Sequence, residues 1–177
     1  FYGYEGLRSV SVADGVEEIA DFAFYQCKKI TKITMPDSVV SMGNHSCFSC
    51  SALTEIQLSE SLKSIGNSAF MYCSSFTGNL TIGNSVTSIG YSAFNGCSGF
   101  TGELIIPNSV TSIGDGAFYA CSELTDVFFY KETSPLFGGD HVFASLNKNA
   151  KIYAPVIWES FKIIPPDKLV KMPTWTS

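Results

Sequence analysis

The sequence predicts a repeat solenoid, with stacked coils sharing one core and parallel strands along one face. Three observations predict it: near-copies of one segment, a period of 23 or 24 residues, and residue types that return in the same columns at every step. The segment NSVTSIGYSAFNGC from Asn84 returns almost unchanged as NSVTSIGDGAFYAC from Asn108. A unit of this size cannot bury its apolar face alone, but stacked on its neighbours it contributes to one continuous core.

The columns justify each element. One Cys per unit marks the register: Cys27, Cys50, Cys73, Cys97 and Cys121, in steps of 23, 23, 24 and 24. One step back lands on Tyr4, and a degenerate step of 25 forward lands on Leu146. Three residues before each mark runs a second column, Phe1, Phe24, Cys47, Phe70, Phe94, Phe118 and Phe143, broken only at Cys47. An Ile-type column, Ile19, Met42, Ile65, Ile89 and Ile113, is followed by Gly in every unit but the first, where Ala20 stands.

After each mark comes an alternating apolar segment, such as ITKITM with Ile30, Ile33 and Met35, or LTEIQL with Leu53, Ile56 and Leu58. Alternation is the period of a half-buried strand. Pro or Gly with Asp, Asn or Ser then turns the chain. A short Val-Thr-Ser-Ile extended piece and a compact helical turn carrying Ala-Phe complete the unit. The 24-residue steps carry one extra residue in SSFTGNLTI and SGFTGELII, which a bulge or wider turn would absorb without shifting the inward columns. Parallel strands about 4.8 Å apart would stack the Phe rings of successive coils.

Composition narrows the function classes. The 177 residues are 45% hydrophobic, enough for one domain with a sizeable core. The formal charge is −5 and the 11 Lys and Arg are scattered, so no basic stripe points to nucleic acid. No apolar run approaches the ~20 residues of a membrane span. The chain opens on Phe1 without Met or a leader, which reads as an excised mature piece whose export signal or anchor lies elsewhere.

The unit V-T-S-I-G-x-x-A-F-x-x-C-S-x-L-T-x-V-x-I-P resembles the BspA-like (type 5) leucine-rich repeats. The resemblance implies about five full coils of 23 to 24 residues over residues 1–130. Residues 131–177 follow as a degenerate closing coil and cap of the same domain, in which VFASLNKNAKIYAPVIWESFK from Val142 is similar to the family's strand and aromatic-bearing helix. It further implies an exported or surface protein of host-associated bacteria or protozoa, acting in adhesion or protein binding.

Five cysteines form one core column and read as buried free thiols able to donate to a nearby carbonyl. Cys47 and Cys50 make a lone CxxC whose members both fall in inward columns, so no metal or redox role is assigned, and Phe48 is expected to fill part of the gap at Cys47. His45 reads as a turn residue and His141 as part of a solvated loop beside Asp140. There is no G-x-S-x-G, HExxH, P-loop or G-x-G-x-x-G, and neither catalysis nor a cofactor is predicted. Asn44 and Asn79 head N-x-S/T sequons.

Solenoids bind through rows of outward side chains on their strand face. Here the row is Ser11, Thr34, Gln57, Thr81, Ile105, Phe128 and Tyr153, small and polar early, apolar and aromatic late. Ile105, Phe128 and Tyr153, with Glu103, Asp126 and Tyr130 beside them, form the candidate patch for a protein or carbohydrate ligand. The alternative is that the C-terminal segment folds over Phe128 and Tyr130. A second row, Tyr2, Tyr25, Phe48, Met71, Asn95 and Tyr119, reads as core edge. Trp158, Phe161, Ile163, Ile164, Leu169, Val170 and Trp175 are assigned to the C-terminal cap. The opening coil has no cap, which leaves room for self-association.

Overall fold

Each coil turns twice between short strands. The alternating segments give β1 (Ser9–Ser11), β3 (Lys32–Thr34), β5 (Glu55–Gln57), β7 (Gly78–Thr81), β9 (Phe100–Ile106), β11 (Asp126–Phe129) and β13 (Lys151–Pro155) on one face. The Ser-Ile pieces give β2 (Glu18–Ile19), β4 (Ser41–Met42), β6 (Ser64–Ile65), β8 (Ser88–Ile89) and β10 (Ser112–Ile113), and Leu136–Phe137 gives β12, on the other. A last strand, β14 (Leu169–Met172), adds to the first face. The structure is a computed structural model that describes residues 1–155, 158 and 164–173. All its strand pairs are parallel, and every pair but β7–β9 runs in unbroken register.

The Ala-Phe segments are not helical turns: among the described residues there is no helix. Each is a run of turns bonded three residues back, such as Ala69 N to Gly66 O at 3.3 Å and Cys73 N to Phe70 O at 3.1 Å. The amides between them are drawn to the next coil instead, Ser68 N to Tyr91 O at 2.7 Å, Phe70 N to Ala93 O at 2.8 Å and Tyr72 N to Asn95 O at 2.8 Å. A helix would bond those amides within itself. This zigzag places Ser68 and Tyr72 at φ 52° and 63°, and the same two positions recur at positive φ in coil after coil.

Glycine follows the Ile column because the turns of adjacent coils nearly touch there. A Cβ on Gly90 would lie 2.6 Å from Asn67 N and 2.6 Å from Gly66 C, both backbone atoms that cannot step aside. Gly90→Ala is therefore expected to cost about 1–3 kcal/mol, as over-packing does, visible as a lower urea midpoint.

One apolar cluster runs from Ile19 to Ile164. Its spine is the Phe column: Phe1–Phe24 centroids are 5.9 Å apart, Phe70–Phe94 5.2 Å, Phe94–Phe118 5.5 Å and Phe118–Phe143 5.7 Å, all stacked. Cys47 interrupts the stack. Phe48 does not fill the gap: its ring lies in the outer row, stacked on Tyr25 at 4.9 Å. The inter-coil bonds Cys47 N to Ala69 O at 2.8 Å and Gln26 N to Phe48 O at 2.7 Å hold the backbone so that Cys47, not Phe48, faces inward.

The two faces differ in continuity. β2, β4, β6, β8, β10 and β12 form one six-stranded sheet, whereas the other face is split into β1-β3-β5 and β7-β9-β11-β13-β14. The split falls where the first 24-residue coil meets the last 23-residue one. The extra residue enters ahead of Leu80, on the first face only, so the second sheet runs on undisturbed. The inward columns hold, with Leu80 and Ile82 buried. The ladder does not, and to this extent the expected bulge is more than local. Further along, one residue of β7, Asn79, faces three of β9 between the pairs Gly78↔Phe100 and Leu80↔Leu104, and the seven-residue β9 hands over to β11 in four matched pairs.

At the C-terminal end Trp158 is buried, its ring 5.0 Å from Phe129, with the indole N–H donating to Lys131 O at 3.0 Å. Leu169 and Val170, assigned to the cap from the sequence, instead lie in the added edge strand β14 beside β13. Phe161, Ile163 and Trp175 lie outside the described residues.

Candidate functional site

The outward row is built by register. Thr81, Ile105, Phe128 and Tyr153 are successive Cα partners, and Val170 extends them. Because each strand exposes every second side chain, these align while Leu80, Leu104, Val127 and Ile152 point inward and are buried. Ile105 is 48% exposed and Phe128 and Tyr153 are half-buried. The Phe128 ring stacks on Tyr153 at 4.5 Å and runs parallel to Tyr130 at 6.2 Å. Glu103 and Asp126 form the neighbouring row as Cα partners, continued by Lys151. Asp126 Oδ1 accepts from Lys151 N at 3.3 Å, whereas Glu103 is exposed. The six candidate residues thus occupy one surface, with apolar rings flanked by carboxylates. Trp158 packs against the inward Phe129, and Tyr130 stays 47% exposed.

The thiol column is built in the opposite sense, wholly inside. All six cysteines are free and buried. Cys50 Sγ donates to Phe24 O at 3.0 Å, Cys73 to Cys47 O at 3.1 Å, Cys97 to Phe70 O at 3.0 Å and Cys121 to Phe94 O at 3.2 Å. Each thiol thus bonds the Phe-column carbonyl one coil back. The neighbouring Cys47 side chain, and after it Cys73, hold Cys50 below the ordinary thiol value, while burial pushes Cys73 and Cys97 well above it. Unfolding in alkylating agent without reductant is expected to label six thiols by mass spectrometry; a pair of protected cysteines would mean a bridge. Among the described residues no group of three or more His, Cys, Asp or Glu is placed to hold a metal ion.

Both histidines lie in turns, as the sequence reading expects, and His141 is exposed. His45 stacks on Phe22 at 5.0 Å with its Nδ1 buried and unpartnered, inside an aromatic ridge that also holds Tyr2, Tyr25, Phe48 and Tyr72. Tyr25 and Phe48 are core edge as expected, but Tyr2 and Tyr119 of the same row are exposed. His141 meets Asp115 of the preceding coil, with N to Oδ1 at 2.9 Å and Nδ1 to Oδ1 at 3.6 Å.

These features define a parallel β-solenoid of leucine-rich-repeat type. The family model "BspA type Leucine rich repeat region", in six copies, matches residues 1–101 and 45–165, and the chain belongs to that family. Among curated proteins none matches the chain. A leucine-rich repeat protein of T. pallidum is 27% identical with a TM-score of 0.69, over 92% of this chain and 83% of that one. A leucine-rich repeat protein of Bacteroides ovatus is 28% identical with a TM-score of 0.65, over 94% of this chain and 45% of that one. A leucine rich cell surface protein of Faecalibacterium prausnitzii is 26% identical with a TM-score of 0.61, over 82% and 46%. The chain therefore spans less than half the length of the last two. No helix among the described residues is long and apolar enough to cross a membrane.

Proposed function

We propose that this chain is a noncatalytic, surface-exposed binding module that holds a protein or glycan on the strand face of its late coils and serves adhesion to host or neighbouring cells. The observation that carries this reading is the Ile105–Phe128–Tyr153 row with Tyr130 alongside, a rigid aromatic surface in a register the backbone ladder holds. Stacked rings already ordered in the free protein lose little entropy on binding. Glu103 and Asp126 at the edge supply acceptors for hydroxyls or basic side chains. The description of one structural relative as a cell surface protein supports an extracellular location.

A glycan and extracellular-matrix array identifies the ligand, and Phe128→Ala and Tyr153→Ala test the site. Each is expected to weaken binding about 30-fold, the effect of losing an interface anchor. Binding that survives both substitutions moves the site elsewhere. A second reading is a self-associating structural spacer, its contact surface the groove of about 520 Å³ lined by Val10, Val16, Ile19 and Phe24. Sedimentation across a hundredfold concentration range checks it: a constant mass excludes it. Where the chain forms a portion of a longer surface enzyme, the same patch serves as its accessory binding module.

A further inference from the structure

The split in the strand face leaves a slot between β5 and β7. No Cα of one strand lies within 8 Å of a Cα of the other, whereas paired strands are about 4.8 Å apart and strands separated by one more strand about 9.6 Å. Both walls line one cleft of about 320 Å³, Glu55, Ile56 and Gln57 on one side and Asn79, Leu80 and Thr81 on the other. Its floor is apolar, and Ile56 within it and Leu58 in an adjoining cleft are only partly buried, although their counterparts Ile33 and Met35 one coil back are buried.

The walls also carry unused backbone groups. At the preceding junction Thr54 N donates to Thr31 O at 3.0 Å and Met35 N to Gln57 O at 3.2 Å. One coil on, no backbone hydrogen bond joins residues 54–58 to residues 77–82; Thr54 O accepts none and Leu58 N donates none. Glu55 N and Gln57 O bond toward β3, and in a parallel ladder alternate residues face opposite sides, so the N–H and C=O of Ile56 face the slot. A solvated pair of strand edges this far apart is a template for a third strand.

We infer that this slot receives an extended peptide as an additional strand between β5 and β7, making the strand face one continuous sheet. The occupant carries apolar residues two apart, which cover Ile56 and Leu58 as a coil strand would. Its outward residues are basic, because the one cation in the slot, Lys32, is cancelled by Glu55 at 3.0 Å, which leaves Glu60 of the two adjoining clefts as the uncompensated charge. This site is distinct from the late-coil patch and does not rest on it.

Residues 29–35 of the chain, KITKITM, carry Ile33 and Met35 two apart with Lys32 on the outward side and supply the probe: a synthetic peptide of that sequence, capped at both ends, with a fluorophore. Titration into the intact chain is expected to give saturable binding, with a peptide N-methylated at alternate residues binding about tenfold or more weakly, the loss of two backbone hydrogen bonds. Hydrogen exchange is expected to show the amides of Ile56 and Leu58 fast in the free protein and slowed by the peptide. Phe128→Ala should leave this binding unchanged, which separates it from the patch above. Slow exchange at Ile56 and Leu58 in the free protein overturns the proposal, because the slot is then closed in solution. So does the absence of saturable binding, binding indifferent to N-methylation, or protection confined to other coils. A glycan that protects the same amides while the peptide does not also overturns it.

Discussion

Phe94→Ala is expected to destabilise the protein by about 3–5 kcal/mol, the range for deleting a large buried aromatic. The ring is fully buried and meets three others, Phe70 at 5.2 Å, Phe118 at 5.5 Å and Phe100 edge-on at 6.4 Å. Its removal opens a void in the middle of the spine, flanked by turns whose amides are committed to neighbouring coils, Phe94 N to Ala117 O at 2.8 Å among them. That ladder limits how far the coils can collapse into the space. Urea unfolding monitored by circular dichroism measures the loss. A cost below about 1 kcal/mol would mean that the Phe column is not the spine, and the shared core would need another basis.

Stability is also expected to fall steeply above pH 9. Burial pushes the Cys121 thiol up to about 12 from an ordinary value of 9.0, and holds Cys73 and Cys97 well above it. The unfolded chain releases these protons near pH 9 and the folded chain retains them, so in this window the folded state binds more protons and stability declines with pH. The contribution is whole below about pH 9 and lost as pH rises toward 12. For Cys121 alone the displacement is on the order of 4 kcal/mol. Cys121→Ala should lower stability at pH 8 yet flatten its decline between pH 9 and 11. A variant whose decline matches that of the parent would show that Cys121 ionises as freely in the folded chain as in the unfolded one. Tyrosines and lysines titrate in both proteins and cancel in the comparison.

Much of the fold was legible because a repeat states each inward position several times. Beyond the first coil the Phe, Cys and Ile columns lie inside, and the outward residues are Cα partners within each sheet, from Ser11 to Gln57 and from Thr81 to Tyr153. The inner thiol ladder follows in kind, since a cysteine at every coil can face only the core and the nearest free acceptor. The turns were less legible. Ala-Phe in a compact segment suits a helical turn locally, but the competing acceptors come from the coil above and are absent from any single unit. Phe48 illustrates the same limit, because a gap beside an aromatic invites it inward until inter-coil bonds decide which side chain faces the core. The slot had a signal, the change from 23-residue to 24-residue steps between Cys73 and Cys97. Length alone did not say whether the extra residue would be swallowed by a bulge or would drive neighbouring strands apart.

The solenoid, its register and the face each strand residue takes were settled by the order of residues along the chain, because they follow from local alternation and from a period repeated many times. The folded molecule was needed to establish that Phe128 stacks on Tyr153, that Trp158 packs on Phe129 instead of over the outer row, and that one sheet is continuous while the other is broken. Those outcomes depend on how neighbouring coils compete for the same backbone hydrogen bonds and the same space, and that competition exists only once the coils are stacked.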